Sequence, residues 1–233
     1  MLELKNFTNF ILKDISFILE KNENLLILGE NGAGKSTLAK VLSNLLPSSN
    51  LFFESKNIKD LSSYDRAKYI NYIPSRFEIF DEYLNVLEYL KLSIIEEKNI
   101  EDIEKIISLL KLEDIKLNSC VDLSSGEQQL LLLASALLHN AKITIFDELT
   151  ANLDLNRVKD VFDILNSSLL SQKIVITHNL DFAYALKDFK VLFLQKGSLK
   201  FFGSHSEFFI QENLNRFYGE NLKLLDSHLV LDL

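Results

Sequence analysis

The chain has 233 residues, of which 47% are hydrophobic, and this suits one compact unit or one core with a small subdomain. The formal net charge is -8, so the composition predicts no large basic surface for nucleic acid. Cys120 is the single cysteine, which excludes an intrachain disulfide and fits a reducing compartment. The N-terminus turns polar at once, which predicts no secretory leader, and the longest apolar stretch, 130–138, is too short to span a bilayer.

The first predicted elements are two short strands, Leu2–Phe7 and Ile11–Leu19. Apolar residues dominate the second strand, and a polar turn at 20–24 follows it. This pattern predicts an antiparallel hairpin or small sheet at the start of the chain.

The next apolar run, Leu25–Leu28, leads into Gly29–Thr37, and a helical pattern follows from Leu38 to Leu46. Strand, glycine-rich loop and helix in this order predict a phosphate-binding loop, because glycines let backbone N–H groups point at phosphate oxygens beside the positive end of a helix. The lysine of such a loop reaches the terminal phosphates, and the serine after it ligates Mg²⁺. The predicted phosphate-binding residues are Gly29, Asn31, Gly32, Ala33, Gly34, Lys35, Ser36 and Thr37.

Strands are predicted next at 51–53 and 69–73, with a helix starting at 62–67 between them. From 77 to 120 apolar residues recur at helical spacing, which predicts a helical subdomain or, as the alternative, a plain helical bulge on the core. Beyond residue 120 helices alternate with strands, which implies a parallel sheet with covered faces. The predicted elements of this part are a helix at 126–140, a strand at 142–146, a helix at 157–170, a strand at 173–177, a helix at 180–187 and a hairpin at 191–198.

Two carboxylates, Asp147 and Glu148, follow the apolar strand Ile143–Phe146. The carboxyl end of such a strand is where ligands bind in an open parallel sheet. Asp147 is therefore predicted to hold Mg²⁺ through water, and Glu148 to orient and polarise the attacking water. The alternative is a solvated acidic turn.

A second candidate anion site is the segment Leu123–Gln129, in which Ser124 begins a helix and Gly126 allows close approach. Because the chain already has one phosphate-binding loop, this site is predicted to serve the nucleotide of a second subunit. The alternative is an ordinary serine N-cap with Glu127 in the first helical turn.

The set of motifs resembles the ATPase subunit of ABC transporters, and the resemblance covers nearly the whole chain. The matching segments are Gly29–Thr37 as the Walker A loop, Leu123–Gln128 as the signature motif, Ile143–Glu148 as Walker B, Thr150–Asp154 as the D-loop and Thr177–His178 as the switch histidine. It implies an α/β fold with a P-loop NTPase core, a mostly parallel sheet, an N-terminal antiparallel β subdomain and a small helical subdomain. One ABC ATPase domain would span 1–233, with its core at 1–76 and 121–233 and the helical subdomain at 77–120.

The resemblance also implies that two such subunits pack head to tail around ATP and Mg²⁺. Each nucleotide would be held by Lys35, Ser36 and Asp147 of one subunit and by Ser124 and Gly126 of the other. The γ-phosphate then bridges the subunits until hydrolysis removes it.

Glu148 is the implied catalytic base, and His178 is implied to contact the γ-phosphate. The implied partners are a second ATPase subunit, as a homodimer, and integral-membrane permease subunits, with no nucleic acid. The implied location is the cytoplasmic face of the inner membrane, reached through the permease.

The sequence departs from the family at positions that bear on the site. Ser75 stands where the family has a glutamine, so it is predicted to offer an oxygen to the metal, directly or through a water. Ser125 replaces a signature glycine, which costs about 1 kcal/mol if that position has φ > 0 and little if it is helical. Phe7 is the predicted ring that stacks on adenine, with Phe10 as the alternative, and both could instead be core residues.

The predicted function is an ATP-hydrolysing subunit that powers an ABC transporter. The segment Leu61–Pro74 resembles importers of iron chelates, haem or cobalamin. An exporter subunit and a low-turnover regulatory nucleotide-binding module remain as alternatives, the latter suggested by Ser75 and Ser125. An ABC-type ATPase acting on DNA or the ribosome is disfavoured, since the chain has neither a long coiled-coil insert nor a tandem second core.

Overall fold

The structure, a computed structural model, describes residues 1–79, 81–96, 101–220, 222–225 and 228–231. The strands of the described residues are β1 Leu2–Asn9, β2 Leu12–Leu19, β3 Asn24–Gly29, β4 Leu51–Phe53, β5 Lys56–Asn57, β6 Ile70–Ile73, β7 Ile143–Asp147, β8 Gln172–Ile176, β9 Phe189–Gln195, β10 Ser198–Gly203, β11 Leu222–Leu225 and β12 His228–Leu231. Their α-helices are α1 Lys35–Leu42, α2 Ser63–Tyr69, α3 Val86–Leu92, α4 Ile103–Leu109, α5 Ser125–His139, α6 Leu155–Asn166, α7 Leu180–Ala185, α8 His205–Phe208 and α9 Gln211–Tyr218.

The chain divides into two compact units. The first comprises Met1–Lys59 and Ile174–Leu233, and the second comprises Asp60–Lys173. The division expected from the sequence, with a helical subdomain at 77–120, stays a prediction. The described part of 77–120 contains α3 and α4, separated by residues 97–100, which lie outside the described range.

The strands of the first unit lie in the order β5-β4-β1-β2-β10-β9-β3-β8. β1 and β2 form the predicted antiparallel hairpin, and β3 pairs in parallel with both β8 and β9. The four residues Leu25–Leu28 are fully buried because β3 has a strand on each side and both faces covered. This central position fixes the point at which the phosphate-binding loop leaves the sheet.

The end of the first unit is held by aromatic packing and by one polar side chain. The Phe193 ring on β9 stacks on Phe217 of α9 with ring centroids 4.4 Å apart, and Phe208 stacks on Phe217 at 5.6 Å. Gln211 of α9 donates to the Leu222 carbonyl oxygen at 2.8 Å and accepts from the Leu224 N–H at 3.0 Å. These bonds orient β11, which forms an antiparallel pair with β12, two strands that the weak sequence pattern did not predict.

In the second unit, β6 and β7 pair in parallel, and the longest helix, α5, is buried along most of its length. Helices α3 and α4 pack against α5. A capping box between Asn85 and Glu88 starts α3, and the Ser62 side chain accepts from the Asp65 N–H to start α2, the cap that the sequence predicted.

Two helices end four residues earlier than the sequence predicts. The helix after the phosphate-binding loop ends at Leu42 rather than Leu46, because Asn44 adopts a left-handed conformation with φ 57°. The helix expected to reach 170 ends at Asn166, where the Ser167 backbone becomes extended and its hydroxyl donates to the Ile164 carbonyl at 2.7 Å. Hydrophobic spacing alone does not reveal such local caps.

Candidate functional site

The phosphate-binding loop joins the end of β3 to the start of α1. Gly34 precedes α1 in a left-handed conformation, φ 103°, and as a glycine it has no side chain to cap this helix end. The first N–H groups of α1 lie at the end of the helix where the macrodipole is positive. This arrangement suits a phosphate group.

Gly29 is required by close packing between two strands. Its φ is 144°, and a Cβ at this position would collide with the Leu194 carbonyl oxygen of β9, which lies directly opposite in register. A side chain here would push β9 away from β3 or distort the entry to the loop. Sequence and packing thus agree that the loop begins with glycine.

The Lys35 side chain lies inside the loop. It is only 8% exposed, and its Nζ donates to the carbonyl oxygens of Gly29 at 2.8 Å and of Glu30 at 3.2 Å. The ammonium group is therefore held against the loop backbone, where it adds positive charge near the N-terminal end of α1. Among the other predicted loop residues, Asn31, Gly32 and Ser36 are exposed, Thr37 is half-buried, and Ala33 is buried.

The hairpin tip of β1 and β2 lies beside the loop in the same unit. A Cβ on Gly34 would be 3.1 Å from Ile11 Cγ2 and 2.9 Å from Leu12 Cδ2. Phe10, next to Ile11, is 53% exposed, whereas Phe7 is 5% exposed within β1. These exposures favour Phe10 over Phe7 as a ring that is free to stack on a base, while the role itself stays a prediction for both.

His178 lies in the loop between β8 and α7 and is exposed. The residues on either side of it are ordered by local hydrogen bonds. The Asn179 N–H donates to Thr177 Oγ1 at 3.0 Å, and the Asn179 side chain caps α7 by accepting from the Phe182 N–H at 3.0 Å. The backbone at His178 is therefore fixed by its neighbours.

In the second unit, Asp147 ends β7 and is only 2% exposed. Its Oδ2 accepts a hydrogen bond of 3.0 Å from the Tyr72 hydroxyl of β6, and its Oδ1 is buried with no hydrogen-bond partner among the described residues. Burial raises the pKa of the Tyr72 hydroxyl well above its ordinary value, and the Asp147 charge raises it further, so Tyr72 remains a donor at neutral pH.

Glu148 has a left-handed backbone conformation with φ 59° and is partly exposed. Such a conformation costs a non-glycine residue about 1–2 kcal/mol. The Ala151 N–H donates to the Glu148 carbonyl oxygen at 3.0 Å and closes the turn that follows. The strand therefore delivers Asp147 inside the protein and Glu148 at its surface.

The residues predicted to bind Mg²⁺ fit a hard cation with oxygen ligands. Asp147 Oδ1 is a buried carboxylate oxygen with no hydrogen-bond partner among the described residues, which is costly unless a cation or a bound water satisfies it. The Ser36 hydroxyl, in the first turn of α1, is exposed. The described residues contain no group of three or more His, Cys, Asp or Glu side chains that could hold a metal ion.

The signature segment begins α5 with a capping box. The Ser124 side chain accepts from the Glu127 N–H, and the Glu127 carboxylate accepts from the Ser124 N–H at 2.8 Å and its hydroxyl at 2.6 Å. These two bonds, and to a lesser extent Arg157, lower the pKa of Glu127. The serine N-cap considered as the alternative is thus present in the structure, and a role of Ser124 toward a partner's nucleotide stays a proposal.

Two neighbours of Ser124 are explained by geometry. Ser125 is the first residue of α5 and does not have positive φ, so replacing the family's glycine there costs little. Gly126 is buried, and a Cβ on it would lie 3.0 Å from Arg157 Nη1 of α6 and 3.5 Å from the carbonyl oxygen of Asn152, which precedes α6. Its small size therefore lets the segment that precedes α6 approach α5 closely.

Ser75, predicted to replace a family glutamine, is half-buried just beyond β6. Its carbonyl oxygen accepts from Gln129 Nε2 of α5 at 3.1 Å. Neither this bond nor the bond from Tyr72 to Asp147 was anticipated from the sequence. The available signal was strand alternation, which places Tyr72 and Asp147 on the same face of two paired strands.

None of the described helices has the length and apolar character that crossing a membrane requires. Residues 12–151 match the family described as ABC transporter. An ABC transporter ATP-binding protein of Methanocaldococcus jannaschii is 34% identical to the chain, over 90% of this chain and 85% of that protein. A Helicobacter pylori protein named as an iron chelatin transport ATP-binding protein is 30% identical, over 99% of this chain and 98% of its own length.

A solved ATP-binding cassette, a dimer in a post-hydrolysis state bound to ADP and Pi, has a similar fold. Its TM-score is 0.76 at 21% identity, over 88% of this chain and 99% of the cassette. This likeness confirms the predicted fold class, an α/β P-loop cassette. Together, the match over 12–151 and the relatives of at least 30% identity show that the chain belongs to the ABC transporter family as an ATP-binding cassette, a class of ATPases.

Proposed function

We propose that this ABC transporter ATPase drives the import of an iron chelate or a similar metal complex. The ATPase part is supported by the phosphate-binding loop, in which the positive end of α1 and the enclosed Lys35 ammonium lie together at the end of a buried strand. The import part is supported by the Helicobacter pylori relative, which is named for iron chelatin transport and aligns with nearly the whole chain.

The residues of the proposed site have different roles, which follow from the chemistry of their side chains and backbone. Lys35 and the N–H groups from Gly29 to Thr37 bind the phosphates, and Ser36, Asp147 and Ser75 supply oxygens for Mg²⁺. When bound, Mg²⁺ neutralises charge on the phosphate oxygens. Glu148 accepts a proton from the attacking water.

The remaining residues bind the ends of the nucleotide. His178 donates to the γ-phosphate, and an aromatic ring, Phe10 by its exposure, stacks on the adenine. Ser124 and Gly126 contact the γ-phosphate of the nucleotide in a second copy.

The working unit is a homodimer bound to integral-membrane permease subunits at the cytoplasmic face of the inner membrane. The solved cassette that shares this fold is a dimer with ADP and Pi, which supports a pairing of two copies. In this dimer the Ser124 end of α5 would complete the nucleotide site of the partner copy, once the phosphate replaces the Glu127 carboxylate as the acceptor for Ser124.

Reconstitution of the chain with its permease in lipid vesicles tests this proposal. The permease is taken from the neighbouring reading frames, and ATP is supplied on the side to which the cassette is bound. We expect ATP-dependent uptake of a labelled ferric chelate, lost with Glu148→Gln. ATP-dependent movement in the opposite direction would replace import by export, and ATP binding without phosphate release, even with the permease present, would support a regulatory module instead.

A further inference from the structure

The pairing of β6 with β7 places one tyrosine beside the metal-binding carboxylate. Tyr72 lies opposite Ile145 in the parallel register, and Ile145 and Asp147 are two residues apart on the same strand. Side chains two residues apart share a face of a sheet, and residues in register on neighbouring strands point to the same side. Tyr72 therefore reaches Asp147 because of the strand register.

The contact with Tyr72 involves only one of the two carboxylate oxygens of Asp147. Oδ2 accepts the hydrogen bond from the Tyr72 hydroxyl at 3.0 Å, whereas Oδ1 has no hydrogen-bond partner in the described part of the chain. Since Asp147 is only 2% exposed, bulk water cannot replace the hydrogen bond that the carboxylate would lose if its side chain changed rotamer. The Tyr72 hydroxyl thus fixes the carboxylate plane and leaves one oxygen for a ligand.

The segment that carries Tyr72 is itself held in place. Ile73 lies in register with Phe146, and two residues beyond Ile73 the Ser75 carbonyl accepts from Gln129 Nε2 at 3.1 Å. Both ends of the segment are therefore anchored, one to β7 and one to α5. Ser75 carries its hydroxyl on Cβ and reaches less far than a glutamine, so the orientation of a bound metal depends more strongly on Asp147.

We propose that Tyr72 is a positioning residue for the metal–nucleotide complex: its hydroxyl holds Asp147 Oδ2 so that Oδ1 faces the hydrated Mg²⁺. This inference rests on the proposed function, because it presumes that nucleotide binds here with a divalent cation. Outer partners of metal-binding carboxylates fix their orientation, and their removal typically weakens metal affinity 10- to 100-fold.

The test is Tyr72→Phe, which deletes one oxygen and keeps the ring. Mn²⁺ serves as the probe, and its binding to the protein with saturating ATP is followed by electron paramagnetic resonance. Binding of a fluorescent ATP analogue in EDTA measures nucleotide affinity without metal. We expect Mn²⁺ affinity to fall about tenfold while metal-free nucleotide affinity stays within twofold. Tyr69→Phe, which removes a hydroxyl from α2 in the same unit, is the matched control and is expected to change neither.

A double variant that combines Tyr72→Phe with Asp147→Asn distinguishes a positioning role of Tyr72 from a general loss of structure. In that background Tyr72→Phe is expected to change Mn²⁺ affinity less than twofold, because the carboxylate it orients is gone. A tenfold loss in both backgrounds, or no loss in Tyr72→Phe alone, overturns the inference. If the unaltered protein binds nucleotide equally well with and without Mn²⁺ and releases no phosphate, the proposed function itself fails.

Discussion

The phosphate-binding loop and the β7 carboxylates, Asp147 and Glu148, are ordered by different kinds of interaction. The loop uses backbone N–H groups, glycines and one lysine that bonds to the backbone five and six residues away. Asp147 is held by a side chain 75 residues away in the sequence. The comparison indicates that the loop depends on local backbone geometry, whereas the carboxylates depend on strand pairing.

The largest expected effect is at the β7 carboxylates. Glu148→Gln removes the proposed base but keeps the size of the side chain, so we expect ATP hydrolysis to slow by about 10²–10⁴-fold while ATP binding is retained. Phosphate release measures the rate, and size-exclusion chromatography with ATP is expected to show an accumulated dimer. Glu212→Gln on α9, an exposed position, is the control; normal turnover in Glu148→Gln would remove Glu148 from its proposed role.

In the loop, Lys35→Ala is expected to weaken ATP binding about 100-fold, because a charge-assisted contact to phosphate is lost. Lys40→Ala lies on the same helix at an exposed position and is expected to leave affinity unchanged. Isothermal titration with ATP measures both variants. Equal affinities would mean that the enclosed ammonium serves only the loop backbone.

Alanine substitutions at two glycines of the loop distinguish the cost of close packing from the cost of backbone strain. Gly29→Ala places a Cβ against the Leu194 carbonyl oxygen and is expected to cost about 3 kcal/mol of unfolding free energy. A Cβ added at Gly32 has no atom within 4 Å. Gly32→Ala is therefore expected to lower the free energy of unfolding only through its positive φ, by about 1 kcal/mol. Urea unfolding measures the free energy of unfolding of both variants. Equal losses of this free energy would show that β3 and β9 can move apart at little cost.

The smallest effect on ATP binding is expected at the hairpin tip. Phe10→Ala should weaken ATP binding about tenfold through loss of stacking, with little change in stability, because the ring is 53% exposed. Phe7→Ala should instead destabilise the protein by about 3–5 kcal/mol, because the ring is buried. Thermal melting and ATP titration distinguish the two, and the reverse pattern would restore Phe7 as the stacking ring.

Much of the fold followed from periodicity and turn residues. The N-terminal hairpin, the strand before Gly29, the cap at Ser62 and the hairpin of β9 and β10 were all predicted. The end of α1 was missed because Asn44 stops the helix through its own conformation, which no hydrophobic pattern records. The pair β11 and β12 was missed because Gln211, outside those strands, orients β11.

The sequence by itself determined the phosphate-binding loop, since the spacing of its glycines and lysine dictates local backbone geometry, and it placed two carboxylates after a buried strand. Tertiary structure decided which oxygen of Asp147 has no hydrogen-bond partner among the described residues, that Ser125 is helical, and that Phe10 rather than Phe7 has an exposed ring. The physical reason is that burial and side-chain partners arise from strand register and helix packing between distant residues, whereas a turn is specified by the residues that form it.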